Sequence, residues 1–204
     1  MCGNVGYIGS KQACPILIKG LRRLEYRGYD SAGVSMINDR GELNVFKAKG
    51  KVDDLVAFLD DKDVSGTIGI AHTRWATHGE PSTINSHPHT SMSGRLALVH
   101  NGIIENYIEL KEFLTSKGRT FLSDTDTEVV AQLLDYKYNG NPLETIDSVM
   151  GELHGSFALG IMFKDFPDRI YAVRRESPLN VGVADGESFI ASDVPAILKY
   201  SNTS

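Results

Sequence analysis

The order in which strand-like and helix-like segments occur constrains the fold of this chain most strongly. Segments rich in apolar and β-branched residues, which are typical of strands, lie near both ends of the sequence, and most segments with helical spacing lie between them. This order differs from the regular alternation that builds parallel βαβ units. The sequence therefore predicts an α+β fold with antiparallel sheet. Helices on the faces of two stacked sheets would satisfy that order, although composition and periodicity alone do not fix the architecture.

Turn-forming residues separate the predicted elements. Asn38–Gly41 has the composition of a hairpin turn, Gly118 ends a helix, and residues 123–126 can cap the helix that follows. Residues 72–100 are polar and rich in histidine, proline and serine, which is typical of a loop that carries a site. We predict strands at residues 4–9, 34–37, 43–48, 66–71, 96–99, 156–163, 170–173, 181–184 and 188–191, and helices at 11–26, 52–59, 105–117, after the 123–126 cap to about 137, 143–150 and 193–199.

Composition excludes several classes of protein. A chain of 204 residues is most simply one domain, and a net charge of -5 without a cluster of Lys and Arg argues against nucleic-acid binding. No apolar run approaches the roughly 18 residues of a membrane-spanning helix, and no signal peptide is recognisable. Two cysteines, Cys2 and Cys14, are too few for a disulfide framework. Cys14 is expected to be a small buried hydrophobe, and the expected compartment is the reducing cytoplasm.

Cys2 is the first candidate catalytic residue. Removal of Met1 would leave a thiol and a free α-amine on the same residue, and the amine, with a pKa of about 8, can accept the proton of a thiol whose pKa is about 8.5. The apolar run that follows predicts a strand that ties this terminus into a sheet. The alternative is that Met-Cys-Gly has no role, because chain ends commonly fray.

Three further groups of residues could act together with a catalytic nucleophile. Asn101 and Gly102, at the end of a predicted strand, offer a side-chain amide and an open backbone N–H, the two donors of an oxyanion hole, although Asn-Gly also makes tight turns. Arg74 could bind a carboxylate that Trp75 shields from water, or could be a surface arginine packed on the ring. Asp124 and Asp126 could hold an ammonium group, although helix capping explains at least one of them.

A metal or nucleotide cofactor is not expected. The six histidines, including His87 and His89, lack both the H-E-x-x-H spacing and accompanying CxxC thiolates. No glycine-rich phosphate loop is present, since Gly6–Gly9 matches neither nucleotide-binding motif. We therefore predict no cofactor.

Five segments together carry a resemblance to a known family. They are Cys2-Gly3, the run from Leu21 to Gly33, His72–Gly79, His100–Gly102 and Thr125–Glu128. In this order they resemble the glutaminase domain of glucosamine-6-phosphate synthases (glutamine–fructose-6-phosphate aminotransferases, isomerising), which are class II glutamine amidotransferases with an N-terminal-nucleophile hydrolase fold. The resemblance covers essentially the whole chain and implies a four-layer αββα sandwich of two stacked antiparallel sheets.

The resemblance also implies roles for particular residues. Cys2 would attack the side-chain amide of L-glutamine with its own α-amine as general base, and Asn101 with the Gly102 N–H would form the oxyanion hole. Arg74 would bind the α-carboxylate and Asp126 the α-ammonium group. The remaining implied positions are Trp75, Thr77 and His78 in the loop that covers glutamine, and Arg27 and His87 as supporting residues.

The resemblance also sets expectations for the whole protein. A full-length enzyme of the family uses the ammonia to make glucosamine 6-phosphate from fructose 6-phosphate and is expected to be a homo-oligomer. The chain is expected to be a single type-2 amidotransferase domain, residues 1–204, that lacks the sugar isomerase region and the end of its own domain. Asn4 departs from the family pattern, because an apolar residue is expected there; if it is buried, its amide needs a partner.

Two alternatives to a glutaminase remain open. The first is a non-catalytic module that binds an amino acid, as a chain that retains Met1 would, because its Cys2 nitrogen would be an amide rather than a base. The second is a cysteine amidohydrolase that acts on another small amide. Arg74 together with Asp126 favours an α-amino acid over such an amide.

Overall fold

The computed structural model describes residues 3–25, 30–75 and 82–192. This part of the chain forms ten strands and five helices: β1 Gly3–Ile8, α1 Ala13–Leu24, β2 Ser31–Ile37, β3 Leu43–Lys49, α2 Val52–Leu59, β4 Ile68–Arg74, β5 His89–Thr90, β6 Leu96–Ile104, α3 Tyr107–Ser116, α4 Asp126–Lys137, α5 Pro142–Met150, β7 Gly155–Phe163, β8 Tyr171–Arg175, β9 Asn180–Ala184 and β10 Glu187–Ala191. The helix predicted at residues 193–199 lies outside the described residues. No described helix is long and apolar enough to cross a membrane.

The strands form two sheets in which every pair of neighbours is antiparallel, as predicted. One sheet has six strands in the order β3-β2-β4-β1-β10-β9, and the other has four in the order β5-β6-β7-β8. The strand nearest the amino terminus, β1, lies between β4 and β10. Strands from the two ends of the sequence therefore build one sheet, which explains why the helices occur mainly between them.

Helices cover the outer face of each sheet. Helices α1 and α2 pack on the six-stranded sheet through apolar side chains such as Leu17, Leu21 and Leu55. Helices α3, α4 and α5 cover the four-stranded sheet through a second cluster that includes Leu114 and Val130. A third cluster fills the space between the sheets: Ile37, Ile68, Ile70, Ala97, Val99 and Met162. The result is the four-layer αββα sandwich that the family resemblance implied.

Side-chain periodicity and turn-forming residues in the sequence account for several boundaries of helices and strands. Helix α2 has the predicted bounds, and Asn38 Oδ1 accepts the N–H groups of Arg40 and Glu42 in the predicted β2–β3 turn. Gly118 adopts a φ of 86° just after α3, a conformation that ends a helix and favours glycine. These features depend on contacts within a few residues, and sequence patterns describe such contacts well.

Three strands extend at least three residues further than predicted. Strand β2 begins at Ser31 instead of Val34, β4 continues through Arg74, and β6 runs to Ile104. Each extension contains polar or small residues that neighbouring strands pair on the sheet, as Thr73 pairs with Gly3. The prediction of one polar loop over residues 72–100 was therefore wrong at its start, and it also missed the two-residue strand β5.

Candidate active site

The strand that follows Cys2 leads directly to a buried arginine. Gly3, the residue after Cys2, pairs with Thr73 on β4, and Arg74 ends that strand with only 2% of its surface exposed. A β-carbon on Gly3 would lie 2.6 Å from Leu24 Cδ1 and 3.0 Å from Thr73 Oγ1. Packing between α1 and β4 thus favours glycine after the candidate nucleophile, and the pairing of β1 with β4 places the start of β1 beside the strand that carries Arg74.

Asn101 and Gly102 lie on the other sheet, within β6. They pair with Ala158 and Phe157 of β7, so they are neither at a strand end nor in a tight turn. Gly102 has a φ of 114°, and a β-carbon there would lie 2.1 Å from the carbonyl oxygen of Ser156. Only glycine fits that backbone conformation and space. Gly102 is exposed, which leaves its backbone open to a ligand from the solvent side.

Asp126 is the first residue of α4, and it does not act as the helix cap. The N-cap is Thr125, whose Oγ1 accepts the Glu128 N–H at 3.2 Å. Asp126 is 4% exposed, and its Oδ2 accepts the N–H of Ile104 at 3.0 Å. Since Ile104 ends β6, this bond joins the carboxylate to the strand that carries Asn101. Asp124, in contrast, is exposed.

Four histidines pack against one another between the sheets and the start of α4. The His72 and His87 rings stack with centroids 4.0 Å apart, His89 lies 4.9 Å from His87 edge to face, and His100 lies 6.4 Å from His87. Their nitrogens contact protein oxygens: His72 Nε2 is 3.0 Å from the His100 carbonyl, His100 Nδ1 is 2.8 Å from Thr127 Oγ1, and His89 Nε2 is 2.9 Å from Thr125 Oγ1. In the described part of the chain, no group of three or more His, Cys, Asp and Glu side chains is arranged to hold a metal ion.

Burial keeps three of these histidines, His72, His87 and His89, neutral. Desolvation lowers the pKa of His72 to about 3, although the His100 carbonyl and the Asn101 side chain act in the opposite direction. Burial also lowers the pKa values of His87 and His89 well below their usual range, and the neighbouring cationic groups reinforce the effect. At neutral pH these three rings therefore add no charge beside Arg74.

We expect the chain to lose stability as the pH falls from 7 to 5. Unfolded histidines bind protons below about pH 6.5, whereas the buried His72, His87 and His89 do not, so acid favours the unfolded state. Each such histidine contributes a slope of up to about 1.4 kcal/mol per pH unit. Urea unfolding at pH 7, 6 and 5 measures this slope. His87→Asn should reduce the slope by the contribution of one histidine, up to about 1.4 kcal/mol per pH unit. A free energy of unfolding that is flat over this range contradicts the prediction.

The structure adds Lys47 and Asn4, which the sequence analysis did not assign to the site. Lys47 Nζ donates to the carbonyl of Ser86 at 2.9 Å, and burial lowers its pKa to about 8. It lines a small cavity of about 220 Å³ beside His89 and Glu128. The sequence did not indicate Lys47 as a site residue, because lysines on hairpin strands are usually exposed to solvent. Asn4 was conspicuous as a polar residue in an apolar strand.

The other predicted residues divide into two groups. Trp75 follows Arg74 and is 52% exposed, and His87 belongs to the buried histidine cluster. Cys2, Arg27, Thr77 and His78 lie outside the described residues. Among the described residues, Arg74 therefore lies on the six-stranded sheet, Asn101 and Gly102 lie on the four-stranded sheet, and Asp126 is bonded to the end of β6.

Comparisons with known proteins agree with one another. The family model of the glutamine amidotransferase domain matches residues 72–199. The chain is 59% identical over 201 residues to the glutamine–fructose-6-phosphate aminotransferase [isomerizing] of Caldanaerobacter subterraneus subsp. tengcongensis, and 56% identical over 205 residues to that of Bacteroides thetaiotaomicron. These matches cover 98% and 99% of this chain and 33% of each relative, so the chain spans about one third of their length.

Solved structures show the same similarity. The glutamine phosphoribosylpyrophosphate amidotransferase from B. subtilis, complexed with ADP and GMP, superposes with a TM-score of 0.83 at 28% identity. That match covers 96% of this chain and 43% of the other. A glutamine aminotransferase class-II domain protein from Silicibacter pomeroyi superposes with a TM-score of 0.62 at 14% identity, over 94% of this chain and 88% of the other, and this match shows a shared fold alone.

Proposed function

The chain belongs to the glutamine amidotransferase domains found in glutamine–fructose-6-phosphate aminotransferases, and from this premise we propose that it hydrolyses L-glutamine with Cys2 as nucleophile. The Cys2 sulfur attacks the side-chain amide carbon while the α-amine, freed by loss of Met1, accepts the thiol proton. The α-amine then returns that proton to the amide nitrogen as the tetrahedral intermediate collapses, and ammonia leaves. Water then hydrolyses the thioester to release glutamate and regenerate the thiol.

The observation that carries this proposal is the backbone of Gly102. Gly102 is an exposed strand residue next to Asn101, and its φ of 114° is a conformation that favours glycine. It lies on the four-stranded sheet, which faces the sheet that contains β1. Such a conformation leaves a backbone N–H without a side chain beside it, and an oxyanion hole combines such an N–H with a second donor. The Asn101 side chain is that second donor in our proposal. Donors aimed at developing charge commonly supply the largest single contribution to acyl transfer.

Arg74 and Asp126 define the substrate in this proposal. A buried guanidinium suits an α-carboxylate and a buried carboxylate suits an α-ammonium group, so the pair favours a free α-amino acid over a simple amide. Trp75, Thr77 and His78 are proposed to cover bound glutamine, and Arg27 and His87 to support the site. The same pair argues against an amidohydrolase for small amides that carry no α-amino acid group.

We expect Asp126→Asn to raise the KM for glutamine by about ten- to a hundredfold, with kcat nearly unchanged, because a charged hydrogen bond worth roughly 1.5–3 kcal/mol is lost in both the ground and transition states. Asparagine retains an oxygen for the Ile104 N–H, so the substitution removes charge without freeing the end of β6. Steady-state kinetics of glutamate release measure the change.

Asp124→Asn is the matched control for this prediction. Asp124 is exposed two residues earlier, and its side chain is not assigned to the substrate, so KM should remain at the wild-type value. An unchanged KM in Asp126→Asn, or equal increases in both variants, would remove Asp126 from the binding site.

We propose that the rest of the reaction takes place in a longer protein. The matched relatives are named for fructose 6-phosphate amination and are about three times as long as this chain. We propose that residues 1–204 form one amidotransferase domain whose ammonia is used by a sugar isomerase region to make glucosamine 6-phosphate. We also propose that the whole enzyme is an oligomer in the cytoplasm that needs no cofactor for this half-reaction.

The decisive experiment is glutamate release from glutamine by the purified chain, after intact-mass measurement has confirmed loss of Met1. Turnover by the processed chain supports the glutaminase. Absence of turnover by that chain, accompanied by saturable glutamine binding, would instead support the non-catalytic module. The relatives reported above are enzymes, and they provide no example of such a module.

A further inference from the structure

We propose that His72 and Asn4 form an inter-sheet clamp that positions the oxyanion hole relative to the nucleophile. The inference rests on the proposed glutaminase function, because it assigns a task to two residues that do not touch substrate in that mechanism. Both are positioning residues. His72 acts through the backbone of His100, and Asn4 acts through the backbone of Ala158.

Two adjacent side chains of the six-stranded sheet reach two backbone carbonyls of the other sheet. Asn4 on β1 and His72 on β4 are cross-strand partners, so their side chains lie on the same face. The Nε2 of His72 lies 3.0 Å from the carbonyl oxygen of His100, and the Nδ2 of Asn4 donates to the carbonyl of Ala158 at 3.3 Å. Both bonds cross from one sheet to the other.

The two carbonyls flank Asn101. His100 is its chain neighbour on β6, and Ala158 is its cross-strand partner on β7. The clamp therefore fixes Asn101 in both directions, along its strand and across the sheet. Since Gly102 follows directly, the same contacts hold the backbone that carries the second oxyanion donor.

The chemistry of His72 suits a fixed contact. A backbone carbonyl can only accept, so the Nε2 of His72 carries the proton and the ring is held in one tautomer. The ring is completely buried, stacks on His87, and is kept neutral by burial. The room for this stack depends on Gly33, the other cross-strand partner of His72: a β-carbon there would lie 2.0 Å from the His87 carbonyl.

Asn4 is fixed by its own backbone. Its N–H donates to Ser192 Oγ and its carbonyl accepts the Ser192 N–H, both at 3.0 Å, and its side chain is fully buried. A buried amide in an apolar strand costs free energy where it is not hydrogen-bonded, and the Ala158 carbonyl supplies the partner of the Asn4 Nδ2. Asn4 is two residues after Cys2, so this bond ties the nucleophile's strand to the opposite sheet.

The clamp matters because the proposed machinery is divided between two sheets. The nucleophile precedes β1, whereas the oxyanion donors lie on β6. The apolar cluster between the sheets is not directional, so it sets their separation more strongly than their register. A misplacement of about 1 Å at a reacting centre can cost about 10²-fold in rate.

A double-mutant cycle tests the proposal. His72→Phe keeps the ring but removes its N–H, and it should lower kcat for glutamine hydrolysis by about ten- to a hundredfold with little change in KM, because Arg74 and Asp126 are untouched. In an Asn101→Ala background the same substitution should cost clearly less than in the wild-type chain, since one of the two donors it positions is absent. Losses that multiply fully in the double variant would overturn the clamp.

Asn4→Ile provides a second variant, in which an apolar side chain replaces the amide and fills the same space. It should lower kcat less than His72→Phe does. Its effect should also be smaller in the Asn101→Ala background than in the wild-type chain. Ile68→Val is the matched control, because it trims the inter-sheet cluster outside the clamp and should leave kcat within about twofold despite a loss of stability. A rate loss in Ile68→Val equal to that in Asn4→Ile would show that general packing is responsible.

Hydrogen exchange separates failure of the clamp from failure of the proposed function. If the processed wild-type chain releases no glutamate, the glutaminase proposal for this chain fails, and amide exchange in residues 100–104 still tests the contacts. His72→Phe should accelerate exchange there relative to Ile68→Val at equal global stability. Equal exchange in the two variants would overturn the clamp whether or not the chain is active.

Discussion

Cys2→Ala is expected to abolish glutamate release, with a loss of at least about 10³-fold, because removal of a covalent nucleophile leaves only binding and the oxyanion donors. Glutamine binding should persist, since Arg74 and Asp126 remain in place. The free α-amine also persists in this variant, so the loss would be due to the thiol alone. Single-turnover assays and glutamine-induced thermal shifts, made on chains whose mass confirms loss of Met1, measure the two properties separately.

Cys14→Ala is the matched control for the loss of a thiol. Cys14 lies on α1, and its side chain is buried in the apolar cluster between that helix and the sheet. Burial raises the pKa of its thiol, so Cys14 is a poor nucleophile at neutral pH. This variant should lose some stability and retain turnover. Activity that survives Cys2→Ala, or disappears equally in Cys14→Ala, would contradict the assignment of Cys2.

The next largest effect is expected from Asn101→Ala, which should lower kcat by about 10²–10³-fold with KM nearly unchanged. The reason is that the Asn101 amide is proposed to bind the oxygen only after it has become charged, so its loss raises the transition state and not the bound ground state. The Gly102 N–H remains in this variant and accounts for residual activity. Steady-state kinetics over a range of glutamine concentrations distinguish the two parameters.

Asn106→Ala is a suitable control for that experiment. Asn106 follows the same strand, and its amide bonds the Glu152 carbonyl and the His154 N–H, so it supports the end of β6 without a proposed catalytic task. We expect lower stability with kcat within about threefold, consistent with the loss of structural hydrogen bonds. A raised KM with normal kcat in Asn101→Ala would show that Asn101 binds substrate and is not an oxyanion donor.

Local patterns predicted the parts of the molecule that depend on short-range contacts. The Val52–Leu59 helix and the Asn38–Gly41 turn follow from side-chain periodicity and turn chemistry over a few residues. The cap of α4 was predicted within Ser123–Asp126, and Thr125 fills it. The candidate site residues came from residue chemistry and family motifs, and their assignments stand as proposals.

The same patterns were misleading where distant strands supply the partners. His72, Thr73 and Arg74 look like the start of a polar loop, yet all three are strand residues: β1 and β2 pair the first two on both sides, and β2 pairs Arg74. Asn101 and Gly102 look like a turn, yet β7 pairs them as strand residues. Hydropathy marks such residues as exposed because it takes no account of partners that lie far away in the sequence.

The sequence by itself determined the class of fold, the separate helices and hairpins, and the identity of the candidate catalytic groups, because these depend on local periodicity and on residue chemistry. Only the tertiary structure decided that β1 lies between β4 and β10, that four histidines pack in one cluster, and that the Asn4 Nδ2 donates to the Ala158 carbonyl. The physical reason is sequence separation: Asn4 bonds Ala158 and Ser192 across 154 and 188 residues. Contacts of that range form only when the whole chain has folded.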